Sequence, residues 1–214
     1  MAVRRVSAGA APQLLLALSG CAGVALLARH LSLDEPTALD RRVRARAIQL
    51  PPSFARTLDP LFPIGLPGGY IPIALLTARM LHRRRRRGGP AIVTAACAGW
   101  MSHRAAKLAI RRVRPPKPGS RRRTDSYPSG HTTGITALAL TTAHVLHREG
   151  LISSATAALI AAGGPALMGA YRVIADDHWM TDVFGGWMLG GAVGLTCNAL
   201  LADSRAPVRR SERW

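Results

Sequence analysis

Acidic residues are scarce in this sequence. Only 11 of its 214 residues are Asp or Glu, whereas 29 are Lys or Arg, so the formal net charge is +18 and the excess is almost all arginine. Such a basic chain usually binds nucleic acid or an anionic membrane surface. Aromatic residues contribute only 5%, yet apolar residues make up 48% of the chain, which excludes intrinsic disorder and a collagen-like repeat.

Charge is absent altogether from six long stretches, which are residues 6–28, 60–78, 88–102, 126–147, 151–171 and 183–202. A membrane-spanning helix needs about 20 mostly apolar residues, with roughly 17 as the lower bound. Five of the stretches are long enough, and the third becomes long enough if its helix continues to Ile110. The charged side chains at that end must then face water or a polar cavity.

The sequence therefore predicts an all-α fold, an integral membrane bundle of six transmembrane helices that forms a single domain over residues 1–214. The expected spans are residues 8–28, 60–80, 89–110, 131–147, 151–174 and 179–202. The cysteines lie inside the apolar stretches, which predicts free, buried thiols at Cys21, Cys97 and Cys197.

The first apolar stretch follows a basic N-terminus and also resembles a signal peptide. Its residues Leu18-Ser19-Gly20-Cys21 resemble a lipoprotein cleavage site. A mature lipoprotein normally continues with a polar tether, whereas the residues after Cys21 remain apolar through Ala28. We therefore interpret this stretch as the first membrane helix.

The connection between the first two spans has a helical pattern. Asp34-Glu35-Pro36 indicates a helix start, and apolar residues recur at helical spacing from Leu39 to Leu50, before Pro51. An amphipathic helix in the membrane interface and a plain solvated connector both fit this pattern.

Basic residues suggest how the chain is oriented. Six helices place both termini and the Arg83 to Arg87 run on one side, which the positive-inside rule makes cytoplasmic. The terminal arginines agree, namely Arg4, Arg5, Arg209 and Arg210. The connection after the third span disagrees, because seven basic residues would lie outside: Arg111, Arg112, Arg114, Lys117, Arg121, Arg122 and Arg123. Either the topology is inverted or these charges are retained for a function.

Three short motifs contain the residues best suited to chemistry. Residues 107–115 contain Lys107 and, seven residues later, Arg114-Pro115. Residues 128–131 are Pro128-Ser129-Gly130-His131. Residues 171–182 contain Arg172, His178 and Asp182.

The six-helix order brings these motifs together. The third helix ends near Lys107, and the fourth begins near His131. The fifth helix ends near Arg172, and the sixth begins near His178, on the same side. A count different by one helix between Lys107 and His178 would separate the motifs across the bilayer, so their convergence also supports the helix count.

In these residues and spacings the sequence resembles the type-2 phosphatidic acid phosphatase family, in its membrane-bound bacterial form. The family signature is Lys, six residues, Arg-Pro; then Pro-Ser-Gly-His; then Ser-Arg, five residues, His, three residues, Asp. Every spacing matches, and the one departure is Tyr171, where the family usually has Ser. The resemblance implies an integral-membrane lipid phosphatase that forms a phosphohistidine.

The residue chemistry agrees with this resemblance. His178 and Asp182 are four residues apart on one helix face, where the carboxylate can orient the imidazole and leave its other nitrogen free to attack phosphorus. Taken alone, a structural or capping hydrogen bond is the alternative for this pair. His131 is expected to protonate the leaving group and then to activate water.

The phosphate oxygens need fixed cations and free N–H groups, such as those at a helix N-terminus. The residues assigned to this role are Lys107, Arg114, Ser129, Gly130 and Arg172. The remaining basic residues of the same connection are assigned to headgroup snorkelling, which recruits an anionic lipid: Arg111, Arg112 and Arg121 to Arg123. His103, one turn before Lys107, is a candidate for the surroundings of the site.

Neither a metal nor another cofactor is expected, because no cluster has zinc-ligand spacing. By resemblance, the candidate substrates are polyprenyl diphosphates or phosphates of the cell-envelope cycle, phosphatidic acid and phosphatidylglycerol phosphate. The expected location is the cell membrane, as a multi-pass protein whose active site faces the extracytoplasmic side. The expected partners are the bilayer and a lipid phosphate rather than nucleic acid, and the oligomeric state stays open.

Two alternatives come from other classes of protein. A non-catalytic or flippase-like membrane protein that binds anionic lipids would not need His131, His178 and Asp182 together. A vanadate-dependent haloperoxidase has a similar site, but such enzymes are usually soluble and longer.

Overall fold

The computed structural model describes residues 10–31, 33–117 and 125–203, with the backbone alone for residues 201–203. Within these ranges the chain forms nine helices and no strand. The helices are α1 (Ala11–His30), α2 (Ala38–Ala47), α3 (Pro52–Thr57), α4 (Leu61–Ile64), α5 (Pro67–Arg83), α6 (Gly89–Ala109), α7 (Gly130–Arg148), α8 (Ser154–Ile174) and α9 (Met180–Asp203). Arg4, Arg5, Arg121 to Arg123, Arg209 and Arg210 lie outside the described residues.

Local sequence signals explain where the helices begin. A proline lies in the first turn of α1, α3, α5 and α6, where its fixed φ suits a helix and its missing N–H costs no hydrogen bond. The α2 helix begins with a capping box, in which the Thr37 side chain accepts from the Asp40 backbone N–H and Asp40 accepts from the Thr37 backbone N–H. Ser153 caps α8 through a bond from the Thr156 N–H.

The α7 helix lies in the middle of the bundle. It packs against α5, α6, α8 and α9, and α1 packs against the outer side of α9. Glycines on α9 allow the closest approach: a Cβ added at Gly190 would lie 2.7 Å from the Thr136 Cβ. Because α7 is enclosed by other helices, its buried threonines Thr132, Thr133, Thr136 and Thr141 do not face lipid.

Three helices of the described chain, α1, α8 and α9, are long and apolar enough to cross a membrane by length and composition. The α1 helix exposes more than half of the surface of Leu15, Leu16, Leu18 and Leu26, as a lipid-facing helix would. The α5 helix is at the lower limit of length with 17 residues and contains Arg79 and Arg83, and α6 carries charged residues in its last two turns. The all-α class is confirmed for the described residues, whereas the arrangement of six spans stays a prediction.

Several details differ from the sequence expectations. The second expected span begins at Pro67 rather than at residue 60, because residues 52–64 form the short helices α3 and α4. The α2 helix is not a plain connector, since it packs against α8 and α9. All three cysteines are free thiols, but only Cys197 is buried. Cys97 is partly buried and Cys21 is exposed on the outer helix α1, so burial was wrongly expected there.

Candidate active site

The C-terminal ends of α6 and α8 meet the N-terminal ends of α7 and α9 at one end of the bundle, around a cavity of about 180 Å³. Residues from all three sequence motifs line this cavity: Lys107, Arg114, Gly130, His131, Arg172 and His178. Ser129 and Asp182 lie behind the cavity, fully buried. The N-terminal end of α5 closes one side with Gly65, Leu66 and Pro67.

His178 and Asp182 form the pair expected from their spacing. The His178 Nδ1 lies 3.4 Å from Asp182 Oδ2, and the two side chains are 2% and 0% exposed. The same carboxylate oxygen accepts from the Trp179 backbone N–H at 2.9 Å and from the Ser126 hydroxyl. With Nδ1 donating to the carboxylate, Nε2 of His178 carries the lone pair on the cavity side.

His178 lies in the turn between α8 and α9, enclosed by protein and next to several cations. Burial, together with Arg114, Lys107 and Arg172, holds the pKa of His178 well below its usual value. The imidazole is therefore neutral at neutral pH, which is the form that a nucleophile needs.

Arg114 lies directly against this imidazole. Its Nη1 is 3.2 Å from His178 Nε2 and donates to the Asp177 carbonyl at 2.8 Å. Its Nε forms an ion pair with Asp125 Oδ1 at 3.3 Å. The Lys107 ammonium donates to the backbone carbonyls of Asp125 and Ser126. These contacts hold two cations beside the nitrogen that would attack.

Arg172 keeps unused hydrogen-bond donors. Its Nη2 pairs with Asp177 Oδ2 at 2.9 Å, and the side chain is only 4% exposed. Its Nε and Nη1 are buried without a hydrogen-bond partner among the described residues. Buried donors of a guanidinium cost free energy unless they are satisfied, so this side chain is prepared for an anion.

Two aromatic rings lie next to the Arg172 guanidinium. Its central carbon lies 5.5 Å from the centre of the Phe62 ring and 5.4 Å from that of the Tyr171 ring. Tyr171, the departure from the family signature, therefore places an aromatic ring in cation–π contact with Arg172. Phe62 comes from α4, which the sequence analysis did not connect with the site.

His131 lies in the first turn of α7, with its Nε2 buried and unpartnered among the described residues. Its ring centre is 5.2 Å from that of Phe62. The His103 ring lies against the start of α7, where a Cβ added at Gly130 would be 2.8 Å from it. His103 Nδ1 pairs with the Gly99 carbonyl at 3.0 Å, so the ring lines the cavity in a fixed orientation.

Ser129, which was expected to bind phosphate, forms hydrogen bonds inside the protein. Its backbone N–H donates to the Asp182 carbonyl at 3.0 Å, and its hydroxyl accepts from Thr132 Oγ1 at 2.9 Å. The N–H bond joins α7 to α9, the hydroxyl bond lies within the start of α7, and Ser129 does not line the cavity. The other residues assigned to the phosphate do line it: Lys107, Arg114, Gly130 and Arg172.

Arg112 was wrongly assigned to headgroup snorkelling. It is 1% exposed, and its guanidinium pairs with Asp182 Oδ1 at 2.7 Å and with Asp40 Oδ2 at 2.8 Å. Its neighbour Arg111 is exposed, as expected. No sequence signal indicated that Arg112 reaches Asp40.

Among the described residues there is no group of three or more His, Cys, Asp or Glu side chains that could hold a metal ion. The charges next to His178 are instead the guanidinium and ammonium groups of this chain. The arrangement can bind a tetrahedral anion against an oriented, neutral imidazole.

Comparisons with known proteins agree with this geometry. The family model of the PAP2 superfamily matches residues 86–206, which is more than half of the chain. A solved structure described as a transmembrane PAP2-type phosphatidylglycerolphosphate phosphatase from Bacillus subtilis has a similar fold, with a TM-score of 0.76 at 20% sequence identity. The similarity covers 90% of this chain and 98% of that one. A comparison with curated proteins found no match.

Proposed function

The chain belongs to the PAP2 superfamily, and from that premise we propose that it is a membrane lipid phosphatase that works through a phosphohistidine. Its substrate would be a phosphomonoester or a diphosphate of a membrane lipid. The observation that carries the proposal is the set of cations around His178, above all the two buried donors of Arg172 that have no partner in the described ranges.

In the first step, His178 Nε2 attacks phosphorus, a P–N bond forms and the P–O bond to the lipid breaks. Lys107, Arg114, Arg172 and the Gly130 backbone stabilise the charge on the three equatorial oxygens. Asp182 holds the imidazole and stabilises its positive charge. His131 gives its proton to the departing lipid oxygen, so the lipid leaves as an alcohol or a lower phosphate.

In the second step, His131 takes a proton from a water molecule, whose oxygen attacks phosphorus. The P–N bond breaks, inorganic phosphate leaves and His178 returns to its neutral form. Ser129 acts here as a positioning residue, because its N–H fixes α7 to the Asp182 backbone.

The cavity is suited to a lipid because it borders the surface between α5 and α6. Leu66, Pro67 and Trp100 line it, and Trp100 is 42% exposed on the outside of the bundle. A phosphate inside the cavity can therefore be continuous with a hydrocarbon chain outside it. We place the protein in the cell membrane as a six-span bundle on these grounds.

Purified protein should be assayed against polyprenyl phosphates and diphosphates, phosphatidic acid and phosphatidylglycerol phosphate, with phosphate release as the readout. The name of the Bacillus subtilis protein makes phosphatidylglycerol phosphate a natural member of this panel. Binding of all these lipids without any hydrolysis would favour the non-catalytic alternative.

Activity should survive metal chelation and be lost in vanadate. The proposed site stabilises phosphate with the side chains of this chain, and vanadate can imitate five-coordinate phosphorus by bonding to His178. Phosphate release should be measured with EDTA, with vanadate and with neither. If a divalent ion restored activity that EDTA had abolished, the proposed mechanism would be wrong.

The proposed orientation places the site on the extracytoplasmic side. Arg111 and Arg84 are exposed at opposite ends of α6, so Arg111→Cys and Arg84→Cys form a matched pair in a variant that lacks Cys21, Cys97 and Cys197. In intact cells an impermeant maleimide should label the cysteine at 111 and not the one at 84. The reverse pattern would place the site in the cytoplasm.

A further inference from the structure

A buried ionic cluster lies behind the catalytic pair and joins three parts of the chain. Arg112 Nη1 donates to Asp182 Oδ1 and to Thr181 Oγ1, both at 2.7 Å, and its Nη2 donates to Asp40 Oδ2 at 2.8 Å. Asp40 Oδ1 accepts from the Thr181 backbone N–H at 2.9 Å. The cluster therefore joins α2, the connection after α6 and the first turn of α9.

The charges of this cluster depend on one another. Burial would raise the pKa of Asp40, but hydrogen bonds from Thr181, Arg112 and Thr37 outweigh it and hold that pKa below its usual value. Arg112 is thus a buried cation between two buried carboxyl groups, with 1% of its side chain exposed. Such a residue cannot reach a lipid headgroup without breaking both ion pairs.

The bonding of Asp182 shows what the cluster does for His178. Arg112 holds Oδ1, while Oδ2 is left to His178 Nδ1, the Trp179 N–H and the Ser126 hydroxyl. A carboxylate bound on one oxygen by a guanidinium cannot rotate about its χ2 angle without losing that bond. Together with the Trp179 N–H and the Ser126 hydroxyl, Arg112 therefore fixes the orientation in which the Asp182 carboxylate meets the imidazole.

We propose that Arg112 is a positioning residue, which orients Asp182 toward His178 and is itself held by Asp40 of α2. The proposal rests on the proposed phosphatase function. It also gives α2 a role in the site, because the Asp40 carboxylate that caps α2 accepts a hydrogen bond from the Arg112 guanidinium.

The alternative is a purely structural clasp between α2 and α9. A purely structural contact between the helices needs only charge balance. Positioning of Asp182 needs the planar guanidinium, which binds two carboxylates at once. Arg112→Lys separates the two requirements, since lysine keeps the charge but not the fork. Arg111→Lys is the matched control, because Arg111 is the adjacent arginine, is exposed, and as lysine keeps the positive charge that would attract a lipid headgroup.

Arg112→Lys should remain folded, with kcat lowered roughly 10- to 100-fold, by analogy with the loss seen when a hydrogen-bond partner that orients a metal-binding histidine is changed. KM should not change, because Arg112 does not line the cavity that would bind the phosphate. Asp40→Asn should lower kcat by a smaller factor, and Arg111→Lys should match the wild type. Steady-state kinetics on folded, monodisperse protein measures all three.

A second measurement does not depend on turnover. In ¹⁵N-histidine-labelled protein, the His178 signals are those missing from His178→Asn, and they should show an Nδ1–H tautomer in the wild type. Arg112→Lys should shift these signals or mix the tautomers, and Arg111→Lys should not.

Unchanged His178 signals in folded Arg112→Lys, or wild-type kcat in that variant, would overturn the positioning role. A change in KM alone would also overturn it. If the wild type hydrolyses no lipid phosphate, the proposed function fails, while the tautomer measurement still decides the role of Arg112.

Discussion

His178→Ala is expected to abolish the covalent phosphoenzyme and to lower kcat by about 10⁶-fold, the scale of loss when a covalent nucleophile is removed. The reason is that His178 is the imidazole whose second nitrogen is held by a carboxylate, so its Nε2 lone pair is directed at the cavity. Lys107, Arg114 and Arg172 lie near His178 as cations, and in the proposed mechanism they bind oxygens and do not attack phosphorus.

Rapid quenching with a lipid carrying ³²P measures this effect directly. Wild-type protein should retain base-stable label, as phosphohistidine does, and His178→Ala should retain none. His82→Ala is the control, because His82 is an exposed histidine in the last turn of α5, at the far end of the bundle. Label on folded His178→Ala, or full turnover by it, would reject the assignment.

His131→Ala should lower turnover of a lipid substrate by about 10²- to 10⁴-fold, because it removes proton transfer but not the nucleophile. An aryl phosphate has a good leaving group that needs little protonation. It should therefore recover much of the first step in His131→Ala and none of it in His178→Ala.

The second step also needs His131, so the phosphoenzyme should accumulate in His131→Ala when an aryl phosphate is the substrate. A burst of phenol followed by slow phosphate release is the expected kinetic pattern. His131→Asn keeps a larger, polar side chain than alanine next to Phe62 and controls for a change in packing. Equal losses with lipid and aryl substrates would contradict the role of His131 as an acid.

At Arg172, the sequence motif predicted the charged side chain but not the residues that surround it. The motif predicted a cation for phosphate, and in the described part of the chain two buried donors of this guanidinium have no hydrogen-bond partner. The rings of Phe62 and Tyr171 that hold this guanidinium were not predicted. Phe62 belongs to α4, a helix of 4 residues inside a segment expected to be a membrane span.

The sequence by itself determined the helical class and the end of the bundle at which the site lies. Charge-free stretches have helical length, and alternation of helix directions follows from their order, so the positions of Lys107, His131, Arg172 and His178 near helix ends could be predicted. The i, i+4 spacing of His178 and Asp182 was equally local, because one helical turn separates them.

The tertiary structure alone decided which groups form hydrogen bonds with Asp182 and which groups face the cavity. Arg112 is 72 residues from Asp40 and 70 residues from Asp182, and no periodicity relates positions so far apart. The same holds for Ser129, whose N–H is used by the Asp182 carbonyl. Hydropathy distinguishes membrane from water, but an arginine next to a span has the same pattern whether it faces lipid or a buried carboxylate. Only the packing of α2 against α9 brings the carboxylates of Asp40 and Asp182 to Arg112. These two ion pairs offset the free-energy cost of burying its charge.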